Sequence, residues 1–196
     1  HVLGCLGEGS HTRASNAIRD AFADCLRRSG ATVTTEAKIF SKDQGKRVDV
    51  LATLGESTRR YACDVAITHS MLGKPDVYAK TVKCAKYAKL CEAETDVEFV
   101  PLIVDSLLNW GKATFDFVGR WNRRFAINAG LSQVFAQVAV FNHLNLVVAR
   151  HLGTILARLA AAPGVDYDPS EVARSIVRSG TVEHNGNKCL SISHAD

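Results

Sequence analysis

Residues 31–69 hold three consecutive runs patterned for strands, with nothing between them long enough to make a helix. ATVTTEAKIF alternates, RVDVLATL is bounded by Gly45 and Gly55, and YACDVAITH follows a short polar turn. Period-two patterning broken by turn residues predicts a three-stranded meander, its second and third strands joined tightly near LGEST. Two of these runs carry a carboxylate in their interior, Asp49 and Asp64. A carboxylate inside a strand that buries its neighbours is costly unless something pairs with it.

The flanks are helical. Across 12–29, Ala17, Ile18, Ala21, Phe22, Cys25 and Leu26 recur at i, i+3/i+4, and Gly30 supplies a C-terminal stop. After Gly73 and Pro75 the helical period returns over 76–92. On a helical wheel Val77, Thr81, Cys84, Ala85, Ala88 and Cys91 share one side; Lys80, Lys83, Lys86 and Tyr87 share the other. VEFVPLIVD reads as a fourth strand whose Pro101 suits an edge or a bulge. Residues 112–178 are mostly helical with a break at APGVDYDPS, and HNGNKCLSISHAD is tail-like. The order helix, three strands, helix, strand, helices predicts an α/β architecture, a small mixed four-stranded sheet flanked by helices.

Alternation then places the aspartates. Val48, Val50, Ala52 and Leu54 point one way, and Asp49 shares the other face with Leu51 and Thr53. Tyr61, Cys63, Val65 and Ile67 share a face, and Asp64 lies opposite with Ala62, Ala66 and Thr68. Paired through the turn at 55–59, the strands bring both aspartates to one sheet face. Neighbouring carboxylates repel, and a divalent cation resolves the repulsion because Mg²⁺ prefers hard oxygen ligands. Such a site suits phosphodiester hydrolysis. The plainer alternative pairs each aspartate with a neighbouring Lys or Arg at a strand edge.

KRVDVLATLG, YACDVAITH and KCAKY together resemble the restriction-like endonuclease of site-specific non-LTR retrotransposons, a branch of the PD-(D/E)XK nuclease superfamily. That pattern has a basic residue and a Pro-Asp dipeptide starting one strand, a DVxV-type stretch in the next, and a downstream KxxKY. The likeness covers roughly residues 11–121 and includes the FVPLIVDSLLNWG block. It implies a restriction-endonuclease-like core over 1–121; general shape alone adds a helical C-terminal extension packed on the core over 122–180 and a tail over 181–196. The resemblance implies that Asp49 and Asp64 bind Mg²⁺ or Mn²⁺, that Lys83 or Lys86 assists the attacking water, and that Tyr87 supports the site. An acidic residue ahead of the strand pair often completes such sites; Glu36 is the first candidate and Asp20 the second. The activity implied is nicking of double-stranded DNA during retrotransposon integration, in the nucleus. The implied partners are that DNA and, besides it, RNA and the rest of a reverse-transcriptase polyprotein. Two departures stand out. Val48 replaces the proline, and Ala66 occupies the place of a lysine that KxxKY would supply from the following helix. A catalytically inactive nuclease-fold module that binds nucleic acid or a protein is the alternative.

Charge and composition fit without deciding. At 46% apolar and 22% charged residues the chain is ordinary for a globular protein. A net charge of +4 permits a nucleic-acid partner without demanding one. Lys80, Lys89 and His69 near the aspartates, with Arg120, Arg123 and Arg124 around Trp121 in GRWNRR, are candidate DNA contacts. The lysine row otherwise reads as a solvated helix face, and GRWNRR as a segment covering the core. Six scattered cysteines without a CxxC pair read as reduced thiols, several of them buried, in a reducing compartment. Cys5 and His11 are either ordinary residues or the tail of a zinc site. The opening HVLGCLGEGS lacks an initiator Met and a charged n-region, which is the expectation for a fragment without a signal peptide. LSQVFAQVAVFNHLNLVVARHLGTILARLAAA carries polar residues at short intervals, so it is expected to be a buried helix and not a membrane span. His143 and His151 are expected as core histidines there, and the helix after residue 126 is a candidate homodimer face.

Overall fold

Helix α1 (Ser10–Arg28) forms on the predicted stripe, burying Ile18, Ala21, Phe22, Cys25 and Leu26. Gly30, at φ 84°, turns the chain out, and the Ala31 N–H donates back to the Leu26 carbonyl at 3.1 Å. The computed structural model describes residues 10–40, 45–55, 57–68, 74–91 and 94–160. The three patterned runs become β1 (Thr32–Ala37), β2 (Val48–Thr53) and β3 (Arg60–Thr68), an antiparallel meander. Strand β4 (Val97–Asp105) adds in parallel to β3, giving the order β1-β2-β3-β4 and leaving Pro101 on the outer strand, where its missing N–H costs no ladder bond.

A parallel pair needs a crossover. Here it is a helical rod spanning 75–91: α2 (Pro75–Tyr78), a π-helical stretch (Ala79–Cys84) and α3 (Ala85–Cys91). Two long helices follow, α4 (Lys112–Ala129) and α5 (Gln133–Ala160), separated at Gly130 in the left-handed conformation (φ 65°). The start of α4 is tied to the rod, because Asp76 Oδ1 accepts the Lys112 N–H at 2.6 Å and places a carboxylate on the helix N-terminus.

The sheet has two differently covered faces. Val50, Ala52, Cys63, Val65, Val100, Leu102 and Val104 meet α1, α4 and α5 in the main core, where Phe22, Phe117 and Trp121 interlock at ring separations of 6.0 Å. The reverse face packs Ala62 and Ala66 against the rod, through Tyr87 and Ala79. This is the mixed α/β sheet flanked by helices that the element order predicts. The expected boundary at 121/122 falls inside α4, and residues of α4 and α5 both contribute to the main core.

Three expectations change. Trp121 is 1% exposed, so it packs and offers no stacking surface. Helix α5 buries Ala136, Val140, Leu144 and Val148 at a spacing of four, while Val134, Phe135, Val138 and Leu146 face solvent. It is therefore half of a buried helix. His143 sits on the exposed side and His151 is half-buried, because the buried stripe runs past both. Among the described residues, no single helix is long and apolar enough to cross a membrane. Cys25, Cys63, Cys84 and Cys91 are free thiols; burial pushes Cys25 up to about 11 and Cys63 higher still, which keeps both protonated. Cys5 lies outside the described residues, as does the His11 side chain.

Candidate active site

Register brings the aspartates together. Strands β2 and β3 pair Val50 with Cys63 and Leu51 with Ala62, so one further step sets Asp49 opposite Asp64. The pairing does not close on the Asp49 backbone; instead Asp49 Oδ2 accepts the Val65 N–H at 2.6 Å. Burial, the strongest influence, and the charge of Asp64 raise the Asp49 pKa above the usual carboxylate range, against the pull of that N–H. Asp49 therefore resists ionisation unless a cation joins it.

Asp64 is 5% exposed and fully engaged. Lys83 Nζ forms an ion pair with its Oδ2, and the Tyr87 hydroxyl donates to its Oδ1 at 2.6 Å. The Arg47 carbonyl, 3.2 Å from the same hydroxyl, is a second acceptor for that one proton. Lys86 Nζ donates to the Tyr87 oxygen at 3.0 Å. Phe40 and Phe99 stack with the Tyr87 ring at centroid distances of 5.8 and 4.6 Å. Burial and the adjacent Asp64 push the Tyr87 pKa far up, so the phenol stays a donor.

The rod delivers these groups through its irregular turn. Its inward positions are Pro75, Ala79, Lys83 and Tyr87, every fourth residue, while Val77 and Val82 are 54% and 44% exposed. In a regular helix every fourth residue drifts by about 40° per step. The wider i→i+5 turn at Ala79–Cys84 counters that drift and keeps Lys83 and Tyr87 over Asp64. The wheel separates Lys83 and Tyr87 from Val77, Thr81 and Ala85, and those two turn to the sheet, while Lys80 and Lys86 on the same side of the wheel stay exposed. Buried Asp64 attracts the ammonium and the phenol more than solvated valines repay by burial.

Glu36 lies opposite Asp49 by register, since Thr35 pairs with Val50 and Ala37 with Val48. Its backbone is left-handed at φ 52°, an unusual state for a residue with a Cβ. Arg19 from α1 forms ion pairs with Glu36 and with Asp20, so one guanidinium takes both candidate third acids. Among the described residues, no group of three or more His, Cys, Asp and Glu side chains is gathered closely enough to hold a metal ion.

The remaining candidates divide. Lys80 and Lys86 are exposed on the rod. His69 lies outside the described residues, and so does the Lys89 side chain. Arg120, Arg123 and Arg124 belong to α4, on the far side of the sheet from the aspartates: Arg120 bonds Glu98 and lies over the Tyr61 ring, and Arg124 crosses Gly55 in the β2–β3 turn. Sequence reasoning missed Arg19, the Arg47 carbonyl and the Val65 N–H. Backbone groups leave no mark in a motif, whereas Lys83 and Tyr87, one helical turn apart in KCAKY, do.

Tyr87→Phe keeps the stacked ring and removes only the hydroxyl. A hydrogen bond to a charged group contributes about 1.5–3 kcal/mol, and the stability of this variant to thermal unfolding is expected to fall by that amount. A loss under about 0.5 kcal/mol, as for a solvated contact, would count against the Tyr87–Asp64 bond.

No family model matches the chain, and no curated protein matches it.

Proposed function

We propose that this chain is a metal-dependent endonuclease domain of PD-(D/E)XK type that nicks double-stranded DNA during retrotransposon integration. The observation that carries the reading is the meeting of two strand aspartates with Lys83 and Tyr87 of KCAKY, residues 19 and 23 positions beyond Asp64. Two carboxylates fit Mg²⁺ or Mn²⁺ well enough, because Mg²⁺ keeps several waters and takes its other oxygens from a substrate phosphate. Asp49 and Asp64 would hold the ion; when bound it polarises the phosphate and lowers the pKa of a water. Lys83 sets a positive charge where negative charge develops on phosphorus-bound oxygen. Tyr87, anchored by its stacked ring, keeps Asp64 in one orientation. Lys80 and Lys86 face solvent on the same rod and suit the DNA backbone.

One observation favours a second reading, an inactive nuclease-fold module that binds nucleic acid or a protein. Ala66, in place of the usual lysine, is buried against Ala79 and Ile103, and the replacing Lys83 is already committed to Asp64. The deciding measurement is conversion of supercoiled plasmid to nicked circles by the purified chain in Mg²⁺ and in Mn²⁺, with a chelator control. Nicking that the chelator stops supports the endonuclease; no nicking in either metal supports the inactive module.

A further inference from the structure

The two oxygens of Asp64 are held in unequal ways. Oδ1 is fixed by a phenol whose ring is stacked on Phe40 and Phe99, and this contact opens only if the packing opens. Oδ2 is held by Lys83, a half-buried ammonium on a flexible four-carbon stem. The same positive charge also acts on Asp49. A cation bridging Asp49 and Asp64 needs an oxygen from each, and of the two groups on Asp64 the lysine on Oδ2 is the one able to move aside. An ammonium and a divalent ion repel, so each weakens the other's hold on that oxygen.

We propose that Lys83 is a resident counter-ion that a divalent cation displaces from Asp64 Oδ2. Cation entry then frees the ammonium for the phosphate, and the metal-free protein keeps no unpaired buried carboxylate on Asp64. This proposal rests on the reading of Asp49 and Asp64 as the metal-holding pair, and adds to it a competition between the lysine and the ion. The competition has a definite sign. Removing the lysine charge tightens metal binding even as it removes a group the hydrolysis needs.

The test is Mn²⁺ binding to the whole chain at pH 8, followed through the spectrum of free Mn²⁺, for wild type, Lys83→Met, Lys83→Gln and Asp49→Ala. Energetic coupling between interacting groups and a bound ligand is typically about 5–150-fold, and both Lys83 variants are expected to bind Mn²⁺ more tightly by a factor in that range. Mn²⁺ should also raise the melting temperature more in Lys83→Met than in wild type. The glutamine variant keeps an N–H donor for Asp64, so the test stands even where the methionine variant fails to fold. Equal or weaker binding in the Lys83 variants, with binding still lost in Asp49→Ala, overturns the exchange and leaves the endonuclease reading intact. Binding that Asp49→Ala leaves unchanged overturns the metal pair itself.

Discussion

Asp49→Ala is expected to lose divalent-dependent plasmid nicking by at least about a hundredfold, since even groups that merely orient metal ligands are worth about 10–100-fold. DNA binding through the exposed lysines should persist, with affinity still falling as salt rises. Loss of both activities together would point to a damaged fold. Asp49→Asn separates chemistry from stability. The folded Asp49 pKa is raised by burial and by the charge of Asp64, so ionising Asp49 opposes folding. That cost is absent below the unfolded carboxylate value, grows as pH rises toward the raised folded value, and is complete above it. The Asn variant, whose amide oxygen still accepts the Val65 N–H, should therefore melt above wild type at pH 8, by about 2–4 °C for each kcal/mol relieved. The gain should shrink as the pH is lowered through the raised value. Nicking by wild type should rise over the same window, because only the carboxylate binds the cation. A pH-independent difference in melting between the Asp49→Asn variant and wild type would remove the electrostatic account of Asp49.

The parts of this site that were legible in the sequence are those fixed by period two. Alternation around Asp49 and Asp64, with a short turn between the runs, is enough to set both on one face, and the register follows because a slip of one would bury the wrong side of each strand. Lys83 and Tyr87 were legible as a four-residue pair. Their direction toward the aspartates came from the KxxKY likeness and not from the wheel, because a wheel drawn for 3.6 residues per turn has no π-helical stretch in it and groups the exposed Lys80 and Lys86 with them. The exposed face of α5 was hidden for the opposite reason. Val134, Phe135, Val138 and Leu146 are as apolar as their buried neighbours, so composition alone cannot say which stripe the core selects. The arginines of GRWNRR looked like a phosphate contact in one dimension, yet Trp121 turns inward against Phe22 and carries its helix to the other side of the sheet. Glu36 illustrates a third limit. Its left-handed backbone and its ion pair with Arg19 depend on where α1 packs, seventeen residues away along the chain.

The Lys83–Asp64 pair should also dominate stability, in a way that a two-residue cycle isolates. Asp64 is buried and keeps its charge balanced by Lys83, with Tyr87 on the other oxygen. Removing one partner of a buried pair leaves an uncompensated charge, at a cost of about 3–5 kcal/mol. Lys83→Met should therefore melt far below wild type, at about 2–4 °C per kcal/mol in a chain of this size. The long methionine side chain still fills the space under the rod, so little of the loss comes from a cavity. Adding Asp64→Asn removes the stranded charge, and the Tyr87 hydroxyl can still donate to the amide oxygen. The double variant should recover most of the lost stability, with a coupling inside the roughly 0.5–3 kcal/mol range found for contacting residues or somewhat above it. Nicking should not recover, because both the Asp64 carboxylate proposed to hold the ion and the ammonium are gone. If the double variant is no more stable than Lys83→Met, the lysine was stabilising the rod through packing, and the charge pairing inferred at Asp64 is wrong. If stability returns while Asp64→Asn alone melts like wild type, the buried charge and its partner are nearly balanced in the native protein, as expected for a pair kept for chemistry and not for folding.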